Sequence, residues 1–294
     1  GEMNQDAIAC GHGYFADPQR NLYMGQWYDG MRTGFGFDLS MKKHIRVGEW
    51  LRDRYLGERL EYTSDRIYGI DISRFQHDVG RKHYPIDWSR VRISHLGRIS
   101  RKHVRGNVDY PISFCYIKST EGTTIRNRYY RADCTAARGR GIKVGAYHFF
   151  STRSSASAQA QFFIRNTSFH KGDLPPVLDV EPTHAQIKKM GGPEPLFRAV
   201  RTWLRIVGAH TDTRPVLYIS QNFVNRYLPL APDLKHDYNI WIARYGEYKP
   251  DVHLVYWQLC PDGRVTGIRP EVDINVFNGY KNEYRDFLSK ECIK

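Results

Sequence analysis

Apolar residues cluster in eight short runs after residue 66, and polar or helix-like segments separate them. Runs of this length, rich in β-branched and aromatic residues, predict strands. Amphipathic patterns predict helices over residues 128–138, 154–163 and 196–207, and none is evident between the last strand pairs. We therefore expect an α/β fold, an irregular TIM-like (β/α) barrel with few helices in its last part. The predicted strands span residues 67–73, 112–119, 143–150, 176–181, 216–220, 239–244, 255–260 and 272–277.

The first sixty residues follow a different pattern, an internal repeat offset by 23 residues. A Gly-x-Trp triplet at 25–27 recurs at 48–50, and Gly34 recurs as Gly57. This spacing is typical of successive β-hairpins, in which Gly allows turns with positive φ and Trp packs on the next hairpin.

The first copy of the repeat, YMGQWYDG over residues 23–30 followed by GFG at 34–36, resembles a MORN repeat. The second copy has diverged, and so short an array is expected to be a structural or targeting segment. The change of pattern predicts two domains, a MORN-like β-hairpin repeat segment over residues 1–66 and a catalytic barrel over residues 67–294.

Two carboxylates, Asp179 and Glu181, end the fourth apolar run. Side chains alternate across an extended strand, so both acids point to one face. Like charges so close resist joint ionisation, which raises one pKa and leaves the other group charged, as acid-assisted glycosidic cleavage requires. An Asp-x-Glu triplet also fits a strand end whose acids cap a helix or meet arginines. The triplet alone leaves both interpretations open.

Polar residues recur at the ends of the predicted strands, where barrels carry their functional groups. Together they bring four acids, Asp71, Asp179, Glu181 and Asp273, towards one mouth. Like charges clustered in one cleft are costly to stability and are rarely tolerated without a use.

The formal net charge of +13 lies entirely after residue 66. Residues 1–66 hold 9 basic and 10 acidic side chains, whereas residues 81–105 alone hold eight Lys or Arg against the single acid Asp87. A basic surface favours polyanions such as nucleic acid, an anionic membrane or an acidic cell wall. No nucleic-acid motif accompanies it, so a solvated loop or a contact with anionic wall polymers or lipids is expected here.

Five cysteines form no CxxC pair and no metal-ligand spacing, and the twelve histidines form no HExxH motif. Neither a disulfide scaffold, a catalytic metal nor another cofactor is implied. No apolar run approaches the length of a membrane span, and no basic-then-apolar leader opens the chain. We expect a secreted or periplasmic protein from which any export signal has been removed.

Eight ordered motifs within residues 67–288 resemble glycoside hydrolase family 25, the lysozymes that cleave peptidoglycan. The motifs are YGIDIS at 68–73, IDW at 86–88, IKSTEG at 117–122, GAYHF at 145–149, LDVE at 178–181, WIAR at 241–244, WQ at 257–258 and VDIN at 272–275.

The resemblance implies a retaining β-1,4-N-acetylmuramidase in which Glu181 is the general acid and Asp179 its ionised partner. The family mechanism is substrate-assisted, with the 2-acetamido oxygen attacking the anomeric carbon, although a direct carboxylate nucleophile stays open. The remaining substrate-binding residues that it implies are Asp71, Asp273, Tyr147, Tyr218, Trp257, Gln258 and Arg244.

Other functions are compatible with parts of this pattern. A substrate-assisted chitinase also ends a strand in Asp-x-Glu, but its longer acid ladder would need acids where Leu174 and Val177 stand. A catalytically silent, glycan-binding barrel would not require an acid pair. A membrane adaptor directed by the MORN-like segment would make the barrel secondary.

Overall fold

The computed structural model describes residues 1–19, 21–39, 45–57, 62–98, 107–220, 223, 226–243 and 254–294. The chain divides into two compact units, one formed by residues 1–64 and the other by the described residues that follow. No helix among the described residues is long and apolar enough to cross a membrane.

The N-terminal unit is a five-stranded antiparallel sheet in which each strand pairs with the next along the chain. Its turns have the left-handed backbone that tight hairpins need. Asp29 and Gly30 (φ 52° and 73°) form one turn, and Arg52 and Asp53 (φ 47° and 64°) form another without glycine. The strands are β1 (Gly11–Ala16), β2 (Leu22–Tyr28), β3 (Met31–Leu39), β4 (Ile45–Leu51) and β5 (Arg54–Gly57).

Aromatic rings fill the centre of this sheet. Tyr23 and Trp50 are almost fully buried, and their rings meet edge to face with centroids 5.4 Å apart. The guanidinium of Arg32 lies 4.3 Å from the Trp50 ring centroid, while its Nε donates to the Asp53 carboxylate at 2.9 Å. The turn at Arg52 and Asp53, in the diverged second copy, is therefore stabilised by Arg32 of the first copy.

The larger unit is built on a closed barrel of eight strands. Each of the eight predicted apolar runs overlaps one of them, which confirms the mixed α/β barrel. The strands of this unit are β6 (Tyr68–Ile72), β7 (Asp78–Val79), β8 (Lys82–His83), β9 (Arg92–His95), β10 (Asn107–Tyr110), β11 (Phe114–Glu121), β12 (Ile125–Arg126), β13 (Lys143–Phe149), β14 (Val177–Val180), β15 (Val216–Ser220), β16 (Asn239–Ala243), β17 (Leu254–Thr266) and β18 (Val272–Phe277).

Parallel pairing runs through β6, β11, β13, β14, β15, β16 and β17 in that order. The last strand, β18, is antiparallel to both β17 and β6 and closes the barrel between them. This direction departs from the all-parallel layout of a TIM barrel. It also corrects one expectation, because Asp273 lies at the start of its strand rather than at the C-terminal end, and reaches the mouth only because β18 is reversed.

Helices cover the outside of the barrel mainly in its first part. The predicted helices correspond to α1, α2 and α4, while the short α3 and α5 and the C-terminal α6 were not predicted. Residues 267–271 join β17 to β18 without a helix, in agreement with the expected shortage. The helices are α1 (Tyr130–Gly139), α2 (Ala156–Asn166), α3 (His184–Lys189), α4 (Pro193–Thr211), α5 (Pro232–His236) and α6 (Lys281–Glu291), with 3₁₀ turns at Arg74–Gln76 and Leu228–Leu230.

The barrel interior is packed with aromatic side chains. Phe114, Tyr116, Trp241, Tyr256 and Phe277 form one buried cluster. The ring centroids of Tyr116 and Trp241 are 5.1 Å apart, within the range of favourable aromatic contacts. The interior is thus a filled core rather than a pore.

Glycine at position 145 makes room for one of these rings. A Cβ atom placed there would lie 2.2 Å from Cε1 of Tyr116 and 3.0 Å from Cβ of Leu174. We predict that Gly145→Ala lowers the free energy of unfolding by about 1–3 kcal/mol, because the overpacked core must shift. Gly139→Ala at the end of α1, where a Cβ would meet nothing within 4 Å, is the matched control. Urea unfolding of both variants checks this, and equal midpoints for the two would contradict it.

Candidate active site

Three aspartates lie at the mouth of the barrel on neighbouring or facing strands. Asp71 of β6 is directly opposite Asp273 of β18 in the antiparallel pair. Asp179 of β14 lies beside Tyr218 of β15 in the parallel register. Glu181 follows one residue after the end of β14. The strand ends therefore bring the four predicted acids together at one mouth.

A hydrogen-bonded chain connects Asp71 to the aromatic core. The indole N–H of Trp241 donates to Oδ1 of Asn275 at 3.1 Å, and Nδ2 of Asn275 donates to Oδ1 of Asp71 at 2.7 Å. The core thus fixes which way the amide of Asn275 points. Asn275 is part of the VDIN motif of the eighth predicted strand, but no role was predicted for it, although its position two residues after Asp273 puts it on the same face of the strand.

A second chain holds the facing aspartate. Nε2 of Gln258 donates to Oδ1 of Asp273, and the hydroxyl of Tyr218 donates to Oε1 of Gln258 at 3.5 Å. Gln258 is buried, with 7% of its surface exposed. In this arrangement Gln258, predicted to bind substrate, positions two other side chains.

Asp179 and Glu181 have contrasting surroundings. Asp179 is buried, and its Oδ1 has no hydrogen-bond partner among the described residues. Burial raises the pKa of its carboxyl well above the ordinary range, and repulsion by Glu181 raises it further. Glu181 is exposed to solvent. One acid is therefore enclosed and the other accessible, although only one residue separates them.

Burial and the same negative charges also shift the pKa values of the other titratable groups at the mouth. Burial and repulsion by Asp273 and Glu181 raise the pKa of Asp71, against the hydrogen bond from Asn275. Burial, followed by the surrounding carboxylates, raises the pKa of both Tyr147 and Tyr218 well above that of a free phenol. These two tyrosines are partly exposed and uncharged, so they present neutral hydroxyl groups to the acids.

Lys118 supplies positive charge to this acidic mouth. It lies opposite Tyr147 in the β11–β13 register, and its charge lowers the pKa of Asp179. Its Nζ pairs with Oε2 of Glu121 at 2.7 Å and lies 4.7 Å from the Phe149 ring centroid. Lys118 was not among the residues predicted to bind substrate or to act in catalysis. Its position at the end of an apolar run was the available signal.

Two other residues were predicted to bind substrate, Trp257 and Arg244. Trp257 is fully buried, and the guanidinium of Arg66 lies 5.9 Å from its ring centroid. Sequence analysis predicted that Trp257 binds substrate, whereas in the structure its ring is buried and does not line the open mouth. Arg244 lies outside the described residues.

Comparison with known protein families identifies the family to which this barrel belongs. Residues 70–268 match the family model of the glycosyl hydrolases family 25. The chain belongs to this family. It is therefore a glycoside hydrolase, and the matched region contains Asp71, Asp179 and Glu181.

Relatives extend the likeness over most of the family 25 region. YegX of Escherichia coli strain K12 is 34% identical over 229 residues, which are 77% of this chain and 75% of YegX. Lysozyme M1 of Streptomyces globisporus is 30% identical over 228 residues, covering 72% of this chain and 68% of that protein. The structure of a family 25 glycosyl hydrolase from Bacillus anthracis superposes with a TM-score of 0.60 at 26% identity, covering 78% of this chain and 96% of the other.

The buried carboxyl group of Asp179 leads to a prediction about the pH dependence of stability. The raised pKa of Asp179 means that the folded state binds a proton more tightly than the unfolded state, so stability falls as pH rises from the unfolded value near 4 through the folded pKa. Asp179→Asn removes the buried charge and is expected to stabilise the fold by about 0.5–2 kcal/mol at neutral pH, with a smaller gain in acid.

Thermal unfolding across a pH series measures this effect. Asp233→Asn is the matched control, because the pKa of Asp233 is lowered by Arg201, whose Nε lies 2.6 Å from Oδ2. That variant should be less stable at neutral pH. A lower melting temperature for Asp179→Asn at pH 7 would contradict the electrostatic interpretation.

Proposed function

We propose that this protein is a peptidoglycan hydrolase that cleaves the β-1,4 bond between N-acetylmuramic acid and N-acetylglucosamine. The observation that carries the proposal is the pair of acids at the mouth of a family 25 barrel, with Asp179 enclosed and Glu181 accessible. The likeness to Lysozyme M1 supports the substrate class. Glycosidic cleavage by acid catalysis needs one protonated and one ionised carboxyl group, and the charge of Lys118, which lowers the pKa of Asp179, favours Asp179 as the ionised one.

Glu181 is the proposed general acid. Its exposed carboxyl group is accessible to the glycosidic oxygen of a chain lying across the mouth. Proton transfer from Glu181 to that oxygen allows the bond to the anomeric carbon to break, and the resulting carboxylate then takes a proton from the attacking water.

Asp179 is the proposed partner of the substrate acetamido group. The acetamido oxygen bonds to the anomeric carbon as the leaving sugar departs, which places positive charge on the acetamido group. The buried Oδ1 of Asp179, which lacks a hydrogen-bond partner among the described residues, suits the acetamido N–H as donor. That bond closes a ring on the substrate. Water then attacks the anomeric carbon from the face that the leaving group left, and the bond between this carbon and the acetamido oxygen breaks, so the configuration is retained.

The other groups at the mouth are proposed to hold the sugar. Asp71, Asp273, Tyr147 and Tyr218 are partly exposed and offer carboxylate and hydroxyl oxygens to sugar hydroxyl groups. Gln258 acts through Asp273 and Tyr218, which it contacts. A contact of Arg244 with substrate stays a prediction.

The remainder of the chain is assigned a supporting role. The aromatic packing within residues 1–64 favours a structural or targeting function for the MORN-like segment, and the catalytic barrel begins near residue 67. Because peptidoglycan lies outside the cytoplasm, the proposed substrate requires a secreted or periplasmic protein.

Digestion of purified peptidoglycan tests the proposal directly. Mass spectrometry of the released fragments should find N-acetylmuramic acid at the new reducing ends. Glu181→Gln keeps the shape of the side chain but removes its proton, so turnover should fall by about 10²–10⁴-fold while binding of glycan chains remains. Glu194→Gln on α4, also an exposed glutamate, is the control and should retain full turnover. Glycan binding without cleavage by the native protein would favour the silent barrel instead.

The charge of Lys118 predicts a shift in the pH dependence. Because this charge lowers the pKa of Asp179, Lys118→Met should raise that pKa and move the acidic limb of kcat/KM to higher pH. Activity at the acidic end should fall by about threefold or more, with less change at neutral pH.

Glu121→Gln separates two explanations of such a shift. It removes the partner of Lys118 but keeps the positive charge near Asp179. The acidic limb should therefore not move to higher pH in this variant. The same upward shift in both variants would show that the ion pair, rather than the charge on Lys118, governs the profile.

A further inference from the structure

A cleft of about 650 Å³ opens beside the loop that follows β6, separate from the acids at the mouth. It lies wholly within the larger unit and is made by the 3₁₀ turn, the β7–β8 hairpin and the segment before α1. Its lining residues are Arg74, Phe75, Asp78, Val79, Gly80, Arg81, Lys82, His83 and Arg128.

The loop that forms the cleft is fixed to the same strand ends as the proposed active site. Ser73, which caps the 3₁₀ turn, is two residues after Asp71. The side-chain amide of Gln76 donates to the backbone oxygen of Glu271 at 3.1 Å, and Glu271 is two residues before Asp273. The cleft is therefore on the catalytic face of the barrel.

The cleft carries an excess of positive charge. Four cationic side chains line it against one carboxylate, that of Asp78. Arg128 binds this carboxylate at 3.0 Å. Arg74, Arg81 and Lys82 are exposed and form no ion pair with any carboxylate among the described residues. Three positive charges are thus available to a ligand.

The wall of the cleft is preorganised. The ring of Tyr129 stacks on His77 at 4.0 Å and on His83 at 5.4 Å, and its hydroxyl donates to Asp78 at 2.7 Å. His77 is buried and contacts Asp133 at 2.8 Å. Stacked rings and a buried polar contact hold the β7–β8 hairpin in place, so a ligand meets a formed surface.

Apolar side chains accompany the charges. Phe75 and Val79 line the cleft with 59% and 48% of their surfaces exposed. A phosphate polymer would use the charges alone. A ligand with carboxylates and small methyl groups would use both kinds of contact.

We propose that this cleft binds the acidic peptide that branches from the muramyl residues of the glycan chain. The inference rests on the proposed function and names a second contact for that same substrate. Arg81 and Lys82 pair with peptide carboxylates while Phe75 and Val79 contact alanyl methyl groups. The cleft then favours chains that bear peptides over bare glycan.

Equilibrium binding by calorimetry tests this in the Glu181→Gln protein, which does not consume the ligand. The ligands are soluble glycan chains with peptides, the same chains stripped of peptides by an amidase, and the free tetrapeptide. R81A/K82A should weaken binding of peptide-bearing chains and of the free tetrapeptide by about three- to tenfold at low salt and less at high salt. Stripped chains should bind as they do to the parent. R198A/R205A on α4 removes two equally exposed charges and should change nothing.

Other outcomes overturn the inference. An equal loss for stripped and peptide-bearing chains would make the cleft a glycan contact, and no loss for either would remove it from substrate binding. Tighter binding of polyglycerol phosphate or phosphatidylglycerol vesicles than of the tetrapeptide, sensitive to R81A/K82A, would assign the cleft to phosphate. Failure of the proposed function is distinct, since the native protein would then cleave neither peptide-bearing nor stripped chains, whatever the cleft binds.

Discussion

Electrostatic repulsion among the acids at the barrel mouth is the constraint on which the rest of the larger unit depends. Asp71 and Asp273 face each other across the strand pair that closes the barrel, and Asp179 feels both of them as well as Glu181. Such a cluster opposes folding, because enclosed carboxylates with raised pKa values disfavour the charged folded state. The surrounding structure must hold it together. The strands contribute to this, because Asp71, Asp179 and Asp273 lie on strands that are paired with a neighbouring strand on both sides.

The core beneath the mouth supplies the rigidity that this arrangement needs. The N–H of Trp241 orients Asn275, and Asn275 in turn donates to Asp71, so a buried aromatic side chain determines the position of a carboxylate at the surface. Gly145 allows the neighbouring Tyr116 ring to fill the space between strands. These contacts couple the packing of the barrel interior to the geometry of its mouth. A substitution in the core is therefore expected to shift the carboxylates.

The sequence allowed the strands and the acids to be predicted, but not the features that depend on distant parts of the chain. Apolar runs identify strands locally, whereas the reversed direction of β18, which brings Asp273 to the mouth, depends on how the barrel closes. The burial of Trp257 could not be predicted either. The first seven residues of β17 are all buried, so no alternation of polar and apolar residues indicates which side chains face the mouth. The short helices α3 and α5 have too few residues for a helical period to appear.

The contrast between Asp179 and Glu181 comes from where β14 ends. Their spacing of two residues puts both side chains on one face, so they share one electrostatic field. The strand ends at Val180, however. Asp179 is still paired with Phe149 and Tyr218 of the two neighbouring strands and is buried, while Glu181 has left the sheet and reaches solvent. The two-residue spacing alone would place both acids in the same environment. The end of the strand alone would place them in different environments but not on one face. Only the combination yields one buried and one accessible carboxyl group on the same face, which is the arrangement on which the proposed roles of Asp179 and Glu181 rest.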